Sequence, residues 1–162
     1  MAVWRRGYGY LHPGTGHDCL SCGVCAIAAF SDDDMNDLLP LDGVERFVIY
    51  IATLDIHPLA IQMVRNLVSK KKLMNVMTIH SDCKTGLPDK SLDVVLLYDA
   101  FHDLGKPDDV LKEIHRILRS NGILSFSDHH MKEEEIVSKV TKSGSFRLLR
   151  KGERTYSFSK GE

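Results

Sequence analysis

The chain has 162 residues, 43% of them hydrophobic and 27% charged, with 21 Lys+Arg against 22 Asp+Glu and a formal net charge of -1. That length suits one soluble domain with its own core, and the balanced charge offers no field to attract nucleic acid or an anionic membrane. No apolar run approaches the roughly 18 residues of a membrane span, and the Gly- and Pro-containing start lacks a signal-peptide core, so a cytoplasmic protein with reduced thiols is expected.

Residues 1–17 hold four glycines and a proline without a period and read as an irregular arm. Residues 18–162 read as one domain. Asp18-Cys19-Leu20-Ser21-Cys22-Gly23-Val24-Cys25 leads into Ala26–Phe30, a short segment that reads as helical. Ser31–Asp34 suit the cap of a further helix through Leu39, stopped by Pro40. Phe47–Leu54 is a buried strand that ends in Asp55. Pro58 suits the first turn of the next helix, whose apolar residues Leu59, Ile61, Met63, Val64, Leu67 and Val68 recur at helical spacing. Lys70–Lys72 complement the dipole at its end.

Val76–His80 is a short strand followed by Ser81-Asp82-Cys83. Leu92–Asp99 is apolar without alternation, the pattern of a strand buried on both faces. Pro88 and Gly105-Lys106-Pro107 bracket it too closely for a long helix. Lys106–Arg119 is an amphipathic helix with Val110, Leu111, Ile114, Ile117 and Leu118 on one face, and Asn121-Gly122 is expected to end it. Ile123–Ser127 is the next strand, followed by Asp128-His129-His130. Lys132–Lys142 is a charged helix with Ile136, Val137 and Val140 inward. Phe146–Arg150 and Thr155–Phe158 alternate around Lys151-Gly152-Glu153 as an antiparallel hairpin.

Strands alternating with helices predict an open, mostly parallel α/β sheet with helices on both faces and an antiparallel edge. Ligands bind such sheets beyond the carboxyl ends of the strands. Those ends carry Tyr98, Asp99, Phe101, His102 and Asp103 after one strand and Asp128, His129 and His130 after the next. A histidine there suits a general base, since its unperturbed pKa is ~6.5. Solvated loop histidines are the plainer reading. Cys19, Cys22 and Cys25 have a spacing that suits a metal or an iron–sulfur cluster with His17 or Cys83 as fourth ligand. The other reading is a glycine loop with small-residue substitutions, and no metal is assigned.

Five features follow one another along the chain. They are Leu54-Asp55-Ile56-His57-Pro58; Asp82 before Gly86-Leu87-Pro88; Ser91–Val95 leading to Tyr98-Asp99-Ala100-Phe101-His102; the helix Val110–Leu118; and Asn121-Gly122-Ile123-Leu124. The ordered set resembles class I S-adenosylmethionine-dependent methyltransferases, most closely the small-molecule type that includes quinone-biosynthesis enzymes. The resemblance implies a Rossmann-like seven-stranded sheet with its last strand antiparallel, and S-adenosylmethionine as cofactor. It implies that Asp55 accepts hydrogen bonds from both ribose hydroxyls, a task suited to a group that accepts bidentately and donates nothing. Asp82 would take the adenine amino group, with Ile56 and Cys83 packed near the ring. Tyr98 and Asp99 would lie beneath the methionine moiety and the methyl group. His102, Asp99 and His129 would then serve a small-molecule acceptor. At the family's glycine turn the best match is Ser21-Cys22-Gly23-Val24-Cys25, where only Gly23 coincides with a glycine place. Beside the enzyme stands a second expectation: a non-catalytic member that keeps the sheet without a working cofactor pocket.

Overall fold

A computed structural model describes the backbone of residues 25–30 and 49–161, with the side chains of 51–161. The expected arm (1–17), the Ser21–Val24 part of the turn with Gly23, the helix after Ser31 and the sulfurs of Cys19, Cys22 and Cys25 lie outside the described residues. The elements run β1 (Cys25–Phe30), β2 (Ile49–Asp55), α1 (Pro58–Lys71), β3 (Val76–His80), β4 (Leu92–Tyr98), α2 (Pro107–Ile117), β5 (Leu118–Ser127), α3 (Glu133–Thr141), β6 (Phe146–Lys151) and β7 (Tyr156–Lys160). A single 3₁₀ turn, Phe101–Asp103, follows β4.

The strands stand in the order β3-β2-β1-β4-β5-β7-β6. The expectation of a mostly parallel seven-stranded sheet needs correction, because the sheet is mixed. Among the described residues only β2·β3 and β4·β5 pair in parallel; β1 runs antiparallel to both β2 and β4, and β7 runs antiparallel to both β5 and β6. Ala26–Phe30, expected as helix, is strand. A run of five apolar residues without charge cannot declare its own period, and the gap between β2 and β4 takes an apolar strand. The C-terminal hairpin is as expected, with Phe146 opposite Lys160 and Leu148 opposite Phe158.

The core lies where α2 and α3 meet β4, β5 and β7. Val95, Leu97, Leu124, Phe126, Phe158, Ile117 and Val140 are all at most 1% exposed. Proline at the first position of α1 and α2 fits the fixed φ of that residue and its missing donor. In α1 the inward face is narrower than the sequence suggests: Ile61 is buried and Val64 and Val68 half-buried, while Leu59, Met63 and Leu67 are exposed. α2 ends at Ile117 rather than at Asn121-Gly122. Leu118 already pairs with Leu92, and a bulge between Leu92 and Val94 absorbs the offset before Val94 meets Ile123. Gly122 lies within β5, where a Cβ would stand 2.8 Å from Leu118 Cδ2 and 3.0 Å from the Arg119 carbonyl. The glycine permits that close approach; it is not a helix stop.

A polar clamp ties α2 to the segment before β4. Glu113 Oε1 accepts from Thr85 N (2.8 Å) and Thr85 Oγ1 (2.6 Å), and the Arg116 guanidinium donates to both Glu113 oxygens (2.9 and 2.7 Å). Arg116 also reaches Asp89. The Arg116 hydrogen bond outweighs burial and, with those of Thr85, holds the Glu113 carboxyl at about 2 instead of 4.5. A depressed carboxylate pKa stabilises the fold above the unfolded value of 4.5, and the contribution fades as pH falls toward about 2. Glu113→Ala is therefore expected to lose about 1–3 kcal/mol in urea unfolding at pH 7. The difference from the parent should shrink steadily between pH 4.5 and 2.

Candidate functional site

The carboxyl ends of β2, β4 and β5 point to one edge of the sheet. β1 enters the sheet at that same edge, since Cys25 pairs with Leu54. Asp55 closes β2. It is 3% exposed, and its Oδ1 accepts the His57 N–H at 2.7 Å. The cap of α1 itself is His57, whose Nδ1 accepts from Leu59 N at 3.2 Å. The helix cap is thus not Asp55, whose buried Oδ2 has no hydrogen-bond partner among the described residues. Leaving a buried acceptor unpaired costs about 1–3 kcal/mol, more for a charged group, and Thr53 Oγ1 on the same strand is in the same condition. Ile56 beside Asp55 is 68% exposed and offers a flat apolar face, while its carbonyl meets His80 Nε2 at 2.9 Å.

Asp82 follows β3 and is exposed. Its Oδ1 accepts the Cys83 N–H at 2.8 Å, and Lys106 Nζ lies 3.7 Å from Oδ2. The hydrogen bonds from Cys83 hold the Asp82 carboxyl below the usual range, with help from Lys106. Burial pushes the Cys83 thiol up, and Asp82 adds to this, so Cys83 is a packing group and not a thiolate. It lines a cavity of about 40 Å³ with Leu54, Thr85, Val95, Leu104 and Val110.

Two aspartate–histidine pairs stand at the ends of β4 and β5, and they are exchanged between the loops. Asp99, after β4, accepts at Oδ1 from the backbone N–H (2.9 Å) and Nδ1 (2.7 Å) of His129, after β5. Asp128, after β5, accepts at Oδ2 from the backbone N–H (3.1 Å) and Nδ1 (2.9 Å) of His102, after β4. Asp128 is buried, and its Oδ1 takes the His130 N–H at 3.0 Å. The His130 ring lies 4.2 Å from that of His102 and 3.9 Å from that of His129, centroid to centroid. Asp99 adopts φ +50°, a conformation that Asp tolerates better than most residues. Tyr98 is 38% exposed, and its hydroxyl is hydrogen-bonded to Ser125 Oγ at 2.7 Å.

The structure therefore brings Tyr98, Asp99, His102 and His129 into one group and sets Asp55, Ile56, Asp82 and Cys83 along the neighbouring half of the same edge. The separation between β2 and β5 is three strand spacings, about 14 Å. Asp128 and His130 belong to the group as fully as the residues singled out from sequence. The signal was there in the run Asp128-His129-His130 at a strand end, but which of the three would face the preceding loop was not. Among the described residues, no cluster of three or more His, Cys, Asp or Glu is arranged to hold a metal ion, and no helix is long and apolar enough to cross a membrane.

Burial pushes the Asp99 carboxyl up, but the side-chain and backbone hydrogen bonds of His129, with its charge, outweigh this and leave it below the ordinary carboxylate range. Replacing His129 with Ala should move the Asp99 carboxyl back upward. Carbon-detected NMR titration reads this directly, with Asp82 as the internal reference that does not move.

A family profile described as "Methyltransferase domain" matches residues 38–126. Among solved structures, an S-adenosylmethionine-dependent methyltransferase from Aquifex aeolicus is 21% identical with a TM-score of 0.56, over 66% of this chain and 65% of that one. A type 11 methyltransferase from Sulfolobus solfataricus is 20% identical with a TM-score of 0.54, over 67% and 69%. The cyclase SpnF is 15% identical with a TM-score of 0.53, over 60% and 43%. At these identities the likeness establishes the α/β methyltransferase fold, and the chain spans slightly under two-thirds of the Aquifex protein's length. No curated protein matched the chain. The profile covers more than half of the chain, in the region that carries Asp55, Asp82, Tyr98 and Asp99, and the protein belongs to the methyltransferase-domain family, whose class I members take S-adenosylmethionine as methyl donor.

Proposed function

We propose that the protein binds S-adenosylmethionine along the β2–β4 edge and transfers its methyl group to a small-molecule acceptor held beside the β4 and β5 loops. The observation that carries this reading is Asp55: a buried carboxylate at the end of β2 whose Oδ2 lacks a partner among the described residues. The ribose hydroxyls of the cofactor are donors of the kind that oxygen needs. In this reading exposed Ile56 and half-buried Cys83 pack against the adenine, and Asp82, with its carboxylate exposed, takes the amino group. Gly23 precedes β1, which enters the sheet at the same edge, and is assigned to the cofactor's approach. Tyr98, pinned by Ser125, underlies the methionine portion.

The bound cofactor supplies a sulfonium methyl group that is already activated. What remains for the chain is to hold the acceptor in line, exclude water and remove a proton where the acceptor carries one. His102 and His129 are the bases, and Asp99 keeps His129 oriented. A cytoplasmic location accords with the composition. A non-catalytic member of the fold is the second reading. It is favoured by one specific observation, the antiparallel direction of β1 against β2 and β4, which departs from the parallel first strand implied by the family resemblance.

Calorimetric titration with S-adenosylmethionine and S-adenosylhomocysteine separates the two. Micromolar binding, about 8 kcal/mol, that weakens at least about 30-fold in Asp55→Asn (about 2 kcal/mol) is the result expected of the enzyme. Absence of binding by the parent chain is the result expected of the scaffold.

A further inference from the structure

The exchanged aspartate–histidine pairs restrict the chemistry of the acceptor. Both Asp99 and Asp128 receive a backbone N–H and a ring Nδ1 from a histidine on the opposite loop. A carboxylate only accepts, so the hydrogen in each ring sits on Nδ1, and Nε2 is left as the basic nitrogen. His102 Nε2 faces Asp103 Oδ2 at 3.4 Å. The His130 ring fills the space between the two paired rings. The cation nearest in sequence, Lys106, is drawn away to Asp82. Both oxygens of Asp128 and Oδ1 of Asp99 are occupied by histidine N–H groups. Among the described residues this rim therefore offers a ligand mainly carboxylate charge and the Nε2 lone pairs of His102 and His129, with the His130 ring as its N–H donor.

We infer that the methyl acceptor is a protonated amine, that His102 Nε2 takes its proton, and that Asp128 and Asp99 are positioning residues for His102 and His129. The inference rests on the methyl-transfer reading above and specifies its substrate class. An ammonium group carries only donors and positive charge, and so complements the rim. A carboxylate or phosphate acceptor meets carboxylates instead of donors. A phenol loses its proton to become an anion beside Asp99, Asp103 and Asp128, whereas an amine loses its proton to become neutral. In the step, one N–H bond of the ammonium breaks, its electrons stay on nitrogen, and the proton passes to His102 Nε2, between Asp128 and Asp103. The nitrogen lone pair then forms the bond to the methyl carbon. The carbon–sulfur pair departs with sulfur as the neutral thioether, S-adenosylhomocysteine. The product is the methylated ammonium, and the imidazolium returns its proton to water.

The test uses the full chain labelled with ¹⁵N, with and without S-adenosylhomocysteine, and three probes that share a phenyl ring: benzylamine, phenol and benzoate. Long-range imidazole spectra are expected to show the Nδ1–H form for His102 and His129. Asp128→Asn should disturb that pattern at His102 and Asp99→Asn at His129. Benzylamine should shift both ring signals with an affinity at least ten-fold above those of phenol and benzoate, and Asp103→Asn, an exposed change, should weaken benzylamine several-fold. Benzoate or phenol binding as tightly as benzylamine, no ring shift with any probe, or the Nε2–H form in the parent overturns the inference. Ring shifts by benzylamine in a chain that does not bind S-adenosylhomocysteine support the amine site and overturn the methyl-transfer reading. S-adenosylhomocysteine binding without preference for the amine does the reverse.

Discussion

The parallel pairing of β4 with β5 is the constraint on which the site depends. Tyr98 stands opposite Ser127, so the two strands end level and their following loops leave the sheet side by side. Only then can Asp99 reach His129 and Asp128 reach His102. The pairing is held from beneath: Val95 and Leu97 of β4 and Leu124 and Phe126 of β5 are buried in the core cluster that also takes in α2, which joins the two strands. The Phe101 ring meets Phe126 edge-on at 5.2 Å, and this contact anchors the short turn that carries His102. Packing in the core thus sets the position of the His102 ring at the rim.

The β2 half of the edge obeys a different logic. Among the described residues Asp55 is buried yet half-satisfied, Ile56 is apolar yet exposed, and both are costs that a folded chain usually avoids. Such local violations concentrate where a ligand completes the structure. The chemistry, however, is not fixed by the sheet: one of the proteins sharing this fold is described as a cyclase. What differs between such proteins is the residues at the strand ends, and here those are two carboxylate–histidine pairs and a buried acid.

Legibility in the sequence was uneven for identifiable reasons. β4 and α2 were plain because an unbroken apolar run and a 3.6-residue period are strong local signals, and Val110, Leu111, Ile114 and Ile117 are indeed buried. Asn121-Gly122 misled, since a glycine that relieves crowding beside Leu118 looks the same in sequence as one that ends a helix. Ala26–Phe30 misled because it is too short and too uniformly apolar to show a period. The strand-end acids Asp55, Asp82 and Asp99 were legible as candidates, whereas Asp128 and His130 were visible only as members of a polar run.

The sequence by itself determined the order of most elements, the strand ends at which polar residues gather, and the family to which the ordered motifs belong. These are local properties, set by periodicity, by proline and glycine, and by short-range spacing. Tertiary structure alone decided the direction of β1, the exchange of histidines between two loops about 30 residues apart and the burial of Asp55. Each depends on which distant strand lies alongside and in what register. That choice is made by burying side chains from many segments at once, and no single stretch of chain carries it.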